Sequence, residues 1–308
     1  YKGRQMKAIV GNPAGGDYDN WMRLLTRHWP RFIPGRPGFI VQNMPGAGQI
    51  IASNWLATSA ERDGSVIGFT ERALPYLRLM GDQNIRFDPR AFSFIGSPEQ
   101  TNRGCFVTPH APATTARELF TKEILVGGAG AGTSITNTPI LLSKLLGLKF
   151  KLVEGYGSAE HVVLAMERGE LHGLCQTVGG IRATKPGWIE QGKLKVLFTM
   201  EHDRVPGIDA PTIHEFTTSK EQSEIIALYN SSLELGRPLV APPGVPPDRV
   251  EALRRSFDAM MLDREFLEDA HRARFEITPR AGEKLQEVVN AIMAASPAII
   301  ERTKALTK

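Results

Sequence analysis

Short apolar runs alternate with amphipathic stretches along almost the whole chain, and this switching between period-two and period-3.6 patterns predicts an α/β fold built on parallel strands. Residues 6–10, Met-Lys-Ala-Ile-Val, read as a first strand. A Gly-rich turn follows, then a helix on which Trp21, Leu24, Leu25 and His28 fall at i, i+3, i+4 and i+7. Residues 39–43 read as a second strand, 45–48 as a tight turn, 50–56 as a second helix and 65–70 as a third strand. A second series of strands begins near Cys105, at 104–108, 124–128, 150–154, 172–177 and 194–200, with helices expected at 115–121, 133–146, 159–168 and 181–191. After a charged stretch at 219–224, a short strand at 239–241 runs into a Pro-rich cluster at 242–247 that stops it and starts a helix. The rest, 247–307, reads as helical, with Val250, Leu253, Phe257 and Met260 on one face and Val288, Ile292 and Ile299 along a closing helix. A helical tail needs a sheet to cover, and the N-terminal sheet is the candidate. The expected organisation is one discontinuous domain, 1–104 plus 232–308, and a second, 105–231, with crossings near 100–105 and 230–240 and a ligand cleft between them.

The 308 residues suffice for two such domains. The net charge of +4, from 37 basic and 33 acidic residues, is spread along the chain; it suits an anionic ligand and gives no support for a nucleic-acid partner. Cys105 and Cys175 form no C-x-x-C pair and have no histidine at metal spacing, so no metal site is expected. Each lies in an apolar strand, where a buried free thiol is the commoner fate and a bond between the two the alternative. No apolar run approaches the roughly 18 residues of a membrane span, and the first residues lack a signal-peptide core and an initiator Met, which suggests a mature, exported chain.

The sharpest local chemistry is at residues 10–19, Val-Gly-Asn-Pro-Ala-Gly-Gly-Asp-Tyr-Asp, where a strand breaks into small residues just before an amphipathic helix. Glycines let backbone N–H groups approach a ligand, and the open N–H groups and positive dipole at a helix start favour an anion. Asp19 is expected as the N-cap of that helix. A plain βα turn with glycines for geometry explains the same residues. The device recurs after the strand at 124–128, in the run from Gly127 to Ser134, where Thr133 stands in place of a Walker lysine and the dinucleotide pattern fails, so no phosphate clamp remains. It recurs again at Gly155-Tyr156-Gly157-Ser158, with Ser158 as a cap. Ligands in open α/β sheets bind outside the carboxyl ends of the strands, which lets these turns converge.

The candidate ligand-binding residues in the first domain are Asn12, Ala14, Gly15, Gly16, Asp17, Tyr18, Arg72 and Arg237. Those in the second are Ala129, Ala131, Gly132, Thr133, Ser134, Tyr156, Gly157, Gln176 and Thr177. Arg72 and Arg237 are placed to offer a bidentate fork to a carboxylate, although most arginines are solvated surface residues. Gln176 and Thr177 end a strand at the same rim. Tyr18 and Tyr156 are candidate ligand caps, a role that packing explains nearly as well. The seven histidines are scattered, no Ser sits in G-x-S-x-G, and His161 and His172 have no carboxylate at triad-like spacing. No catalytic residue, cofactor or metal is therefore expected.

These residues together resemble a known family, the solute receptors of tripartite tricarboxylate transporters, also described as TctC-like or Bug-type extracytoplasmic binding proteins. VGNPAGGDYDNWMRLL resembles the family's opening strand, turn and helix, and VQNMPGAGQIIASNWLA its N-x-P-G-A-G segment. Further matches follow in order: DGSVIGF, GGAGAGTS, GYGSAEHV, GELHGLCQT, QGKLKVLF, DAPTIHEF and APPGVPPDRV, covering essentially the whole chain. The resemblance implies a two-domain periplasmic-binding-protein fold of type II, the Venus flytrap, each domain a mainly parallel sheet flanked by helices. It also implies a monomeric periplasmic protein that grips a small carboxylate between the turns at 12–18 and 129–134 and delivers it to the membrane subunits of a tripartite transporter. The chain departs from the pattern where many members carry a small hydroxyl residue after Gly-Gly and it has Asp17 and Tyr18. Gly236-Arg237-Pro238 replaces an aromatic common before the final Ala-Pro, and Cys175-Gln176-Thr177 stands where Phe-Asp-Asn is frequent. Two rivals to a receptor are an enzyme on the same scaffold acting through Asp17 or a histidine, and an effector-binding regulatory module. The second lacks a basic recognition helix.

Overall fold

A computed structural model describes every residue except 129, 131, 132 and 308. It forms two compact units, Tyr1–Gln100 with Ser231–Ala294, and Thr101–Asn230 with the residues from Ala295 onward. In chain order the first unit begins with β1 (Gln5–Val10), α1 (Asp17–His28), β2 (Gly38–Asn43), α2 (Ile50–Thr58), β3 (Val66–Phe69), α3 (Leu74–Met80) and β4 (Ser93–Ser97). The second unit follows with β5 (Arg103–Val107), β6 (Ile124–Gly127), α4 (Ser134–Leu146), β7 (Phe150–Val153), α5 (Ala159–Glu167), β8 (Gly173–Thr177), α6 (Val178–Thr184) and β9 (Lys195–Thr199). Helix α7 (Lys220–Glu234) spans the return, and β10 (Leu239–Ala241), α8 (Pro247–Met261), α9 (Arg264–Arg272), β11 (Arg280–Ala281) and α10 (Gly282–Met293) complete the first unit. The last helix, α11 (Pro297–Thr307), packs on α4 in the second unit. This corrects the expectation that 232–308 all belong to the first domain. The short break after α10, residues 294–296, lets the chain leave.

Both sheets are mixed. The first has the order β11-β4-β10-β3-β1-β2 and the second β7-β6-β8-β5-β9. In the first, β1 pairs in parallel with β2 and β3, while β10 runs antiparallel to β3 and β4. In the second, β6 pairs in parallel with β7 and β8, and β5 runs antiparallel to β8 and β9. β5 and β10 are the first strands after each change of unit, and each inserts against the direction of its neighbours. The remaining long strands share one direction, so the turns after β1, β6, β7 and β8 lie at the carboxyl ends of their sheets.

The core of the first unit gathers Trp21, Met22, Leu25 and Trp29 of the α1 region with Phe257, Met260 and Phe266 from the C-terminal helices. Trp29 resolves its one polar atom by donating from Nε1 to Ser256 Oγ, 2.8 Å away. In the second unit β5 is buried throughout because its sheet is covered on both faces. Cys105 and Val107 face one cluster with Leu142 and Leu197, and Phe106 faces the other with Leu174 and Val162. Cys105 and Cys175 stand opposite each other in the β5–β8 ladder and form a disulfide, correcting the reading as free thiols. Sequence spacing hides this pair because it is made by strand register. Among the described residues no helix is long and apolar enough to cross a membrane.

Candidate functional site

The candidate residues of the first unit gather where β1 ends. Gly11 is needed there because a Cβ would stand 2.5 Å from the Cβ of Gln49. Gln49 is itself left-handed, with φ 71°, as is Ala47 with φ 45°; such backbone costs on the order of 1 kcal/mol per non-glycine residue and persists where contacts hold it. Gln49 Nε2 donates to Glu71 Oε2 at 2.9 Å, and its carbonyl accepts from Ser53 Oγ at 2.9 Å. The strained segment thus presses the Gln49 side chain against the turn.

Helix α1 begins at Asp17 with Gly16 as its N-cap, so Asp19 is not the cap that the sequence suggests. Asp19 lies within the first turn, fully buried, and ties the loop together. It accepts from the Gly15 N–H at 2.7 Å, Arg23 Nε at 2.8 Å and Asn43 Nδ2 at 2.9 Å, while Asn43 also donates to the Asn12 carbonyl at 2.9 Å. Burial alone would raise the Asp19 carboxyl, but the hydrogen bonds from Arg23, Gly15 and Asn43 outweigh it and hold the group below the usual carboxylate value. The first intrahelical bond runs from the Asn20 N–H to the Gly16 carbonyl at 2.9 Å. The N–H groups of Asp17, Tyr18 and Asp19 therefore precede the helix ladder, at its positive end.

Tyr18 is buried with its ring edge-on to Phe69, centroids 5.5 Å apart. Burial, reinforced by the Glu71 charge, raises its hydroxyl well above the ordinary tyrosine value, so it stays neutral. Arg72, which partly offsets that shift, and Arg237 both stand near Tyr18. Arg237 is the best-defined of the predicted cations. One terminal nitrogen is 2.5 Å from Asp17 Oδ2 and the other 3.2 Å from Glu99 Oε1, with the guanidinium 4.9 Å from the Tyr18 ring centroid and 5.5 Å from that of Trp21. Its backbone N–H donates to Ser97 Oγ at 2.8 Å. The structure thus brings Asn12, Gly15, Gly16, Asp17, Tyr18, Arg72 and Arg237 to one rim. It adds Gln49, Glu71 and Glu99, which the sequence reading missed. Only Gln49 carried a signal, as the residue following the N-x-P-G-A-G segment.

In the second unit, Ala129, Ala131 and Gly132 lie outside the described residues. Thr133 caps α4, and its hydroxyl donates to the Gly130 carbonyl at 2.9 Å; Ser134 is the first residue of α4. Ser158 caps α5 after the turn that carries Tyr156 and Gly157, and Tyr156 packs against the core. Thr177 caps α6 by accepting from the Gly180 N–H at 3.2 Å, which gives its hydroxyl a structural task. Gln176, beside it, has a buried side-chain oxygen without a hydrogen-bond partner.

A polar cluster that the sequence did not reveal joins Arg103, Glu201 and Asn230. Glu201 Oε1 accepts from the Arg103 N–H at 2.8 Å and Asn230 Nδ2 at 3.5 Å, and the Arg103 guanidinium lies 5.4 Å from the Tyr229 ring centroid. Burial pushes the Glu201 carboxyl up to about 7. These residues sit on separate elements, and no linear pattern connects them. A 750 Å³ groove lined by Arg117, Lys195, Arg204 and Phe216 opens elsewhere, at the start of edge strand β9 and away from the glycine turns.

Two helix-flanked mixed sheets with glycine turns at the carboxyl ends of their strands are the architecture of the two-domain periplasmic-binding-protein fold. Similar solved structures include a TctC solute-binding protein from Polaromonas without ligand, at TM-score 0.74 and 21% identity over 99% of this chain and 98% of that one. MatC from Rhodopseudomonas palustris with bound malate gives 0.55 and 18% over 100% of each, and another Rhodopseudomonas palustris protein with adipate gives 0.57 and 19% over 99% and 97%. At these identities the likeness shows a shared fold. No curated protein sequence matches the chain. The chain belongs to the tripartite tricarboxylate transporter receptor family, TctC, whose model matches residues 35–304. This is a family of transport receptors.

Proposed function

We propose that this receptor works in the periplasm as a single chain, holds one small organic carboxylate at the turn 12–18, and hands it to the membrane subunits of a tripartite transporter. The observation that carries the reading is the head of α1. The helix starts there ahead of its hydrogen-bond ladder, with no side-chain cap, at the carboxyl end of β1, in a loop that Asp19 and Asn43 hold in shape. Malate and adipate in two proteins of the same fold support the carboxylate class. The buried disulfide suits an oxidising compartment.

The test is a thermal-shift screen of the purified protein, first checked for carried-over ligand, against mono-, di- and tricarboxylates, aromatic acids and amino acids. At a hundredfold excess over its dissociation constant a true ligand adds about 2.7 kcal/mol, a rise of roughly 4 °C at this chain length. A response confined to carboxylates supports the receptor reading. A flat panel with no resident ligand would sink it.

A further inference from the structure

We propose that Asp17 makes this receptor select carboxylates whose far end is an uncharged or cationic hydrogen-bond donor, and reject dicarboxylates. The inference rests on the carboxylate-receptor reading and names the ligand class for the same rim.

A guanidinium recognises a carboxylate by presenting a fork of N–H groups. Both terminal nitrogens of the Arg237 fork are taken, and its Nε is buried without a partner. Asp17 takes one terminal nitrogen and Glu99 the other, the ring of Tyr18 lies against the face, and only 13% of the side chain is exposed. Asp17 is 59% exposed, so the outermost charge of this network is a carboxylate. Around the rim, Asp17, Glu71 and Glu99 face Arg72 and Arg237, three acids against two bases, which leaves an excess negative charge near any incoming far end. A second ligand carboxylate meets like charge there.

The unfilled acceptors at the rim point the same way. Gln49 is 5% exposed and its Oε1 has no partner; Asn12 Oδ1, on the turn itself, is also buried without one. The orientation of the Gln49 amide follows from chemistry. Glu71 only accepts, so the amide nitrogen must face it, and the oxygen is what remains. Two buried acceptors beside a carboxylate-rich rim call for an amide, ammonium or hydroxyl donor, because an unpaired buried acceptor is costly and a ligand N–H satisfies it.

The test is calorimetric titration with probes of matched length: succinate against succinamate and 4-aminobutanoate, and adipate against 6-aminohexanoate, on wild type, Asp17→Asn and Asp17→Ser. Wild type is expected to bind the amide or amine member at least tenfold more tightly than the dicarboxylate, and Asp17→Asn to shift that ratio at least tenfold towards the dicarboxylate. A wild-type preference for succinate or adipate overturns the proposal whether or not the variants fold. So does an unchanged ratio in folded Asp17→Asn and Asp17→Ser. Failure of the underlying reading looks different: no carboxylate of either kind binds wild type, and the proposal falls with it.

Discussion

At the scale of single residues, the sequence makes Asp17, Tyr18 and Arg237 visible as separate candidates and hides what they do together. Arg237 lies 220 positions from Asp17 along the chain, and only the fold brings the two charges to 2.5 Å. Gln49 escapes notice for a different reason: its importance comes from a left-handed backbone, which sequence suggests for glycine and not for glutamine. Glu201 is the residue whose chemistry can be read most directly. Its folded carboxyl is raised to about 7 from an ordinary 4.5, so the folded state holds the proton more tightly. That stabilisation is fully present below pH 4.5 and is lost as pH rises through 7. At high pH, Glu201 Oε2 is left buried without a donor, next to Asn230 Oδ1 in the same condition; a proton supplies one. Glu201→Gln removes the titration. Between pH 5 and pH 8, urea denaturation should show wild type losing roughly 2–3 kcal/mol more than the variant. Parallel pH profiles would remove Glu201 as the cause.

Among elements, the alternation of strand and helix patterns located most of both sheets to within a residue or two, because buried strands and amphipathic helices are written in side-chain periodicity. The misses share a physical origin. α3 is short and begins with Pro75 at its first turn, β4 carries a glycine, and α7 opens on charged residues that read as a loop. The helix expected at 115–121 is only a 3-10 turn, Glu118–Phe120. There Glu118 reaches back to accept from the Thr114 and Thr115 N–H groups at 2.9 and 3.2 Å. α6 starts at Val178 because Thr177 caps it, three residues earlier than periodicity suggests. The β5–β8 pair carries a prediction of its own. Its disulfide closes a loop of 70 residues, which loop-closure entropy values at about 4 kcal/mol. Reduction, or replacement of both cysteines by alanine, should lower the stability of the second unit by up to that amount, read from denaturation with and without reductant. Coincident curves would show that the ladder alone fixes this pair.

For the molecule as a whole, the two-sheet architecture was legible, and the final helix was not. Periodicity shows that α11 is amphipathic but not which sheet system owns it. Ile299, Thr303 and Leu306 are buried, in the helix that packs on α4. Deleting residues 295–308 should therefore cost the second unit on the order of 3 kcal/mol from the apolar side chains exposed. Hydrogen exchange should report lost protection in α4 while β1, β2 and β3 keep theirs; loss confined to the first unit would contradict the assignment. With α11 where it is, the chain changes unit after residues 100, 230 and 294. A nascent polypeptide thus delivers part of one sheet, then the other sheet without its last helix, then the missing strands of the first. The core of the first unit cannot close until the C-terminal helices emerge, because Phe257, Met260 and Phe266 belong to it. Until β10 emerges, the first sheet lacks the strand that joins β3 to β4, and its two halves have nothing to hold them side by side.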